Sequence, residues 1–340
     1  NGFKFTPPTG YKAVNQDNLD DTASKLTAWA WIKNRDATDN HMLFDRVRGV
    51  GEDLQLFASS TVAEATDADT LQRFLQRGAQ IGNDAKVNTA NESYVLWQWL
   101  LGDSATTGST NDSGSINSTV IVADAGHFSV GTFTGAGGSS TIGHGLSAAP
   151  EFFLVKRLTS GTGWFIYHKN TSDPNNKFVR LQTTAAEGSA SGAWTPGATT
   201  MGLNESVLNG INTSSAEHLF IAFRSVPGVC SVGSYEGNNN ADGTFVNLGF
   251  KPAWVMTKTI DGSGAWGIMD SAREPNNPVI KRLFASANSA EDEDGEQMDF
   301  LSNGFKLRKT GGFNSNNLTY IYMAMAEIGG NGTLPPIYGR

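Results

Sequence analysis

A chain that says nearly the same thing three times is constrained to fold as three related units, and two independent landmarks show the repetition here. Around a lysine it reads Trp31-Ile32-Lys33-Asn34-Arg35, then Leu154-Val155-Lys156-Arg157, then Val255-Met256-Thr257-Lys258-Thr259. Lys156 follows Lys33 by 123 residues and Lys258 follows Lys156 by 102. The apolar run Tyr94-Val95-Leu96-Trp97 recurs as His218-Leu219-Phe220-Ile221 and Tyr320-Ile321-Tyr322-Met323, at offsets of 124 and 102. Agreement between unrelated landmarks marks a tandem array of homologous modules, and such arrays build surfaces and spacers more often than active sites.

Other segments fit the same frame. His41-Met42-Leu43-Phe44-Asp45 aligns with Trp164-Phe165-Ile166-Tyr167-His168 and Trp266-Gly267-Ile268-Met269-Asp270, while Phe74-Leu75-Gln76-Arg77-Gly78 aligns with Phe300-Leu301-Ser302-Asn303-Gly304. The later copies share an opening element, Phe133-Thr134-Gly135 and Tyr235-Glu236-Gly237, that the first copy lacks. These matches divide the chain into a lead segment 1–20, module one at 21–102 with an incomplete start, module two at 126–228, module three at 229–328 and a tail at 329–340. Residues 103–125 are expected to be a linker and lead-in, because 103–115 are Gly, Ser, Thr, Asn, Asp and Ala, too little apolar surface to bury. The opening without methionine and the irregular tail, Leu334-Pro335-Pro336-Ile337-Tyr338, suggest a piece of a longer product.

Thirty-nine glycines against eleven prolines, with many Ser, Thr and Asn, suit short strands joined by turns. The clearest strands are Phe152–Lys156, Trp164–Tyr167, Leu219–Phe223, Trp254–Thr257 and Tyr320–Met325, several of them apolar throughout as strands buried on both faces are. Ser160-Gly161-Thr162-Gly163 and Asp261-Gly262-Ser263-Gly264 sit at matching places as hairpin turns, with Asp36–Asn40 in module one. Residues 67–75 and 296–301 read as a short turn or helix leading into a strand. The expected fold is all-β, in tandem antiparallel sandwich modules of jelly-roll-like form.

A net charge of −8 with no basic cluster argues against a nucleic-acid surface, and no apolar run approaches the ~20 residues that span a membrane. The one cysteine, Cys230, excludes an intrachain disulfide and reads as a buried structural thiol. Trp164 and Trp266 occupy equivalent positions and read as core. Trp97 and Trp99 alternate with Leu96, Gln98 and Leu100, so they face a sandwich core or an intermodule contact rather than a sugar. His127 and His144 fit no metal-ligand spacing. His168, standing where the other modules have Asp45 and Asp270, is expected at the surface at a strand end.

Glu291-Asp292-Glu293-Asp294-Gly295-Glu296 has carboxylates for calcium, but a calcium loop aligned on Gly295 would start at Ala290 and end at Leu301, so a solvated acidic loop is expected. Gly262-Ser263-Gly264-Ala265-Trp266-Gly267 carries the letters of a dinucleotide fingerprint yet leads into a strand, and Gly135-Ala136-Gly137-Gly138 lacks a phosphate-loop lysine. No catalytic residue, metal ligand or cofactor is assigned, and ligand-binding residues stay unspecified.

On these residues, the chain resembles repeat modules near the C-terminal ends of large virion proteins of tailed bacteriophages, described as tail fibre or tail structural proteins. The resemblance is carried by Trp31–Asp45, Gly249-Phe250-Lys251-Pro252-Ala253-Trp254-Val255-Met256, residues 299–308 and Tyr320-Ile321-Tyr322-Met323-Ala324, and covers roughly residues 26–330. Residues 1–20 are similar to the closing segment of a SPRY-like β-sandwich. The resemblance implies a virion location, other virion proteins as partners and a homo-oligomer, most often a trimer. A non-enzymatic structural or adhesive role is therefore expected, in which the chain contacts a host surface. A lectin-like glycan-binding module, marked by exposed Trp or Tyr, is the first alternative. A polysaccharide depolymerase with two opposed carboxylates is the second.

Overall fold

The computed structural model describes residues 12–13, 27–49, 54–75, 78–100 and 108–326. Residues 103–107, the tail 329–340 and, apart from Lys12–Ala13, the segment 1–20 lie outside the described residues. The fold is nearly all β, with one helical turn at Ala85–Asn88, capped by the Asp84 carboxylate, that sequence patterning did not indicate.

Each module is organised around its lysine strand: Thr27–Asn34, Phe152–Arg157 or Pro252–Thr259. On one side this strand pairs antiparallel with a hairpin strand, Met42–Asp45, Phe165–His168 or Gly267–Asp270. On the other it pairs with a return strand, Tyr94–Leu100, Glu217–Phe223 or Thr319–Ala326. Modules two and three add a lead strand beyond the return strand, Phe128–Thr134 and Cys230–Glu236. In module one the return strand is the sheet edge among the described residues.

A smaller three-stranded unit faces this sheet in every module. It comprises Lys12–Ala13, Gly78–Ile81 and Leu71–Leu75 in module one, and Ser139–Gly143, Thr200–Asn204 and Trp194–Pro196 in module two. In module three it comprises Phe245–Asn247, Gly304–Leu307 and Asp292–Leu301, the last continuing into the main sheet through Val279–Phe284.

Side-chain alternation along the lysine strands explains their unbroken hydrophobicity. Ala30 and Ile32 pack against Leu71 and Phe74, Phe153 and Val155 against Met201 and Leu203, and Val255 against Phe300 and Phe305, so each module buries a core of its own. The other face of each strand carries Trp29 and Trp31, Phe152 and Leu154, or Trp254 and Met256, and all six join one cluster common to the three modules. The register pairs agree: Trp31 with Trp97, Leu154 with Ile221, Met256 with Met323. Trp99 sits where the modules meet, its ring centroid 4.1 Å from Trp29, 6.2 Å from Phe223 and 5.6 Å from Trp254. The array is thus three sandwiches gathered about a fourth, shared core, not an extended string of self-contained beads.

Several boundaries move. Ser109–Asn111, inside the expected linker, pairs with Ser118–Val122, which pairs with the lead strand, so module two's sheet begins well before residue 126. A polar segment can join a sheet edge through its backbone alone. Lys12–Ala13 pairs with Gly78–Ile81 and so adds a strand to module one's small sheet. Residues 296–301 are strand throughout, whereas 67–70 form a turn before Leu71–Leu75.

The shared opening glycines are fixed by backbone contact. A Cβ on Gly135 would lie 2.2 Å from the Thr213 carbonyl oxygen, and one on Gly237 the same distance from that of Ser315. Gly135→Ala is expected to cost about 1–3 kcal/mol, as overpacking does, measured as a lowered urea midpoint with unchanged slope.

Candidate functional site

The recurrent polar chemistry of this chain lies at the seams between modules. Lys33, Lys156 and Lys258 are fully buried, and burial lowers the pKa of each to about 8. Lys156 Nζ donates to the Thr162 carbonyl of its own hairpin turn at 2.8 Å and to the Thr61 carbonyl of module one at 3.0 Å. Lys258 Nζ does likewise, to Gly264 at 2.6 Å and to Thr184 of module two at 3.1 Å. Lys33 Nζ donates to its own turn at Ala37. Each landmark lysine therefore ties down a turn, and two of them also staple one module to the one before. Lys156→Met keeps the aliphatic bulk but strips a donor from two carbonyls, and is expected to cost about 1–3 kcal/mol in chemical denaturation.

Further donors cross in the same direction. Trp164 Nε1 donates to the Phe57 and Ser60 carbonyls of module one, and the equivalent Trp266 Nε1 to Arg180 of module two at 2.9 Å. A third contact closes the circle. The Glu64 amide donates to Leu158 at 2.9 Å, the Glu187 amide to Ile260 at 2.8 Å, and the Glu291 amide to Arg35 at 2.7 Å. Module one thus grips two, two grips three, and three grips one, which makes the assembly a closed ring about a pseudo-threefold axis.

The seam between modules three and one carries extra charge. Arg35 makes a two-pronged pair with Glu291 at 2.8 and 2.9 Å, at the place filled by Leu158 and Ile260 elsewhere. Glu291 also accepts from Arg273, which pairs with Asp270 at 2.6 Å and lies over the Trp97 ring. These guanidinium partners hold the Glu291 carboxyl below its ordinary pKa despite burial. Trp97 Nε1 of module one donates to Asp270 at 3.1 Å. Module one repeats the triad as Asp45, Arg48 and Glu64.

The residues singled out from sequence are almost all in this framework. Trp97, Trp99, Trp164 and Trp266 are buried, so none of these four offers the exposed aromatic platform of a lectin site. His168 is a correction: it is buried at the seam rather than exposed at a strand end, as are Asp45 and Asp270. A polar strand end looks solvent-facing in sequence, but here a neighbouring module covers it. His144 is fully buried, and burial drives His127 to about 4. Cys230 is buried with its thiol pushed up to about 12, unsuited to nucleophilic work.

The acidic run is corrected in part. The side chains of Asp292, Glu293 and Asp294 are solvent-exposed as expected, but these residues open the strand Asp292–Leu301 instead of forming a loop. Asp292 and Asp294 pair with Arg282, Asp294 also with Lys309, and Glu291 with two arginines. Residues 261–266 form the hairpin turn into Gly267–Asp270. Among the described residues, no three His, Cys, Asp or Glu side chains gather to hold a metal ion, and no helix is long and apolar enough to cross a membrane.

One shallow depression, about 360 Å³, opens on the small sheet of module two between Ser115, Ser139, Thr141, Thr195 and Gly202. Ser115 and Thr141 bond each other reciprocally, backbone N–H to hydroxyl, at 2.8 Å each way. The depression carries no ionisable side chain, and its walls are mostly the apolar parts of these residues and Leu203, with few free polar atoms.

Among comparisons with known proteins, a family model described as a domain of unknown function (DUF7483) matches residues 11–328. No curated protein and no solved structure matches the chain.

Proposed function

The chain belongs to the DUF7483 family, and within it we propose a non-enzymatic structural or adhesive component of a tailed-phage virion, carried on the tail or particle surface. The observation that carries this reading is the closed ring. Three sandwiches share one core, and four of the five histidines, the thiol and the three strand lysines are buried in its architecture. Such a body is a rigid unit for display, and the tail-protein motifs at Trp31–Asp45 and Gly249–Met256 support its place on a virion.

The threefold arrangement expected of a homotrimer arises within one chain, so contacts with further copies or other virion proteins would use the outward small sheets rather than the seams. The shallow uncharged depression of module two is where a second reading, weak recognition of a neutral host glycan, would place its ligand. Imaging of intact particles labelled with an antibody to module three tests the main proposal. Labelling on tail or surface is expected; protein found only in the soluble lysate, with unlabelled particles, would overturn it. A glycan array probed with the isolated fragment tests the second reading, with Thr195→Trp as the blocking control.

A further inference from the structure

Histidine is the side chain whose unperturbed charge change falls near neutral pH, and two of the five stand on seams, both bordering module three. His168 of module two accepts from the Asn170 amide at Nδ1, 3.1 Å away, so its proton is on Nε2, 3.3 Å from the Tyr322 carbonyl oxygen of module three. His41 of module one accepts from Trp31 Nε1 at Nδ1, 2.7 Å away, and its Nε2 faces the Phe284 backbone of module three without an ordinary hydrogen bond. In each ring a second proton must go onto a nitrogen that already faces a donor. Protonation breaks that bond and leaves a charge in an apolar site.

The seam between modules one and two is built differently. Its equivalent places hold Trp164 and Asp45, the latter ion-paired with Arg48. Module three contains no histidine at all. We propose that the two seams flanking module three are an acid-operated release, so that protonation of His168 and His41 lets module three, still folded, separate from the joined pair of modules one and two.

The surroundings support this. His168 is faced by Lys169 and Glu151, which pair with each other at 2.9 Å, by the Phe152 ring edge and by Tyr322. His41 is faced by Lys33 and by Arg273, itself held by Asp270 and Glu291. Burial lowers His168 to about 4, and burial with the two cations lowers His41 well below its ordinary value. Both rings are neutral when buried and take protons below about 6.5 once exposed. Their contribution to the seams is therefore whole above about pH 6.5 and is lost progressively as pH falls toward 4.

His144 and His218 also titrate in acid, but they are buried inside module two, and His127 is half-buried in the same module, away from both seams of module three. His144 and His218 accept the Leu146 and Thr213 amides. Exposing them requires opening a module's own core, whereas the seam histidines need only separation, the smaller opening.

Hydrogen exchange at pH 7 and pH 5, corrected for the intrinsic pH dependence, reads the seams through the Glu64, Glu187 and Glu291 amides. Protection at Glu187 and Glu291 is expected to fall at least tenfold more than at Glu64, while the strand amides of module three hold. His168→Asn retains an acceptor for the turn, as Asp270 does for Ala272, and is expected to keep Glu187 protected at pH 5. His41→Gln tests the other seam independently, through Glu291. Equal loss at Glu64, earlier loss at Leu146 and Thr213, or wild-type pH profiles in both variants would each overturn the proposal.

Discussion

Trp99→Ala is expected to destabilise the whole ring by about 3–5 kcal/mol, the usual loss for a buried tryptophan, and to do so in one transition. Trp99 belongs to module one, yet its ring touches Phe223 of module two and Trp254 of module three. The cavity therefore opens in a core that belongs to all three modules. Urea unfolding followed both by tryptophan fluorescence and by exchange in the Thr319–Ala326 strand checks this: the two probes should shift together. Trp194, in module two's own core, is the control, because alanine there removes a similar volume without touching the junction. If Trp99→Ala gave two separated transitions with module three unchanged, the shared core would be only a contact between independent domains.

Arg273→Ala carries the second large effect. The side chain is 2 % exposed, as is that of Asp270, and the guanidinium also donates to the Ile268 carbonyl and to Glu291. Removing it leaves a buried carboxylate whose remaining side-chain donor, among the described residues, is the Trp97 indole. Breaking such a pair from one side typically costs about 3–5 kcal/mol. Because Asp270 and Glu291 both serve the closing seam, the loss should appear first as increased exchange at the Glu291 amide. The double variant Arg273→Met with Asp270→Asn should recover part of the stability, since no uncompensated charge remains. A variant as stable as wild type would show that the triad adds nothing to closure.

The repeat, the all-β class and the burial of the tryptophans were readable in the sequence because each leaves a pattern in side chains. Strand positions 29 to 32 are apolar on both faces, and that doubling pointed to burial on two sides. It did not say that the second side was another module. The ring itself is written mainly in backbone groups: the carbonyls of Phe57, Thr61, Arg180 and Thr184 accept the crossing bonds, and a carbonyl has no letter. A lysine kept near the end of an apolar strand, three times over, was the visible trace, and two of the three reach those acceptors. His168 was misplaced for a related reason, since Asp, His and Asp at one position look like tolerance at a surface. Ser109–Asn111 was missed because an edge strand of small polar residues is held by its main chain alone.

Leu158, Ile260 and Arg35 occupy the same point of the three seams, and only one of them is charged. Separate identical subunits could not have made that choice, for any substitution would have appeared at every contact around the axis. Joining the copies in one polypeptide lets each contact diverge by itself, and it gives the junction without a direct covalent link a bond that its two siblings lack. Symmetry of shape thus coexists with individuality of parts, and a change of one residue can retune one joint while leaving the other two as they were.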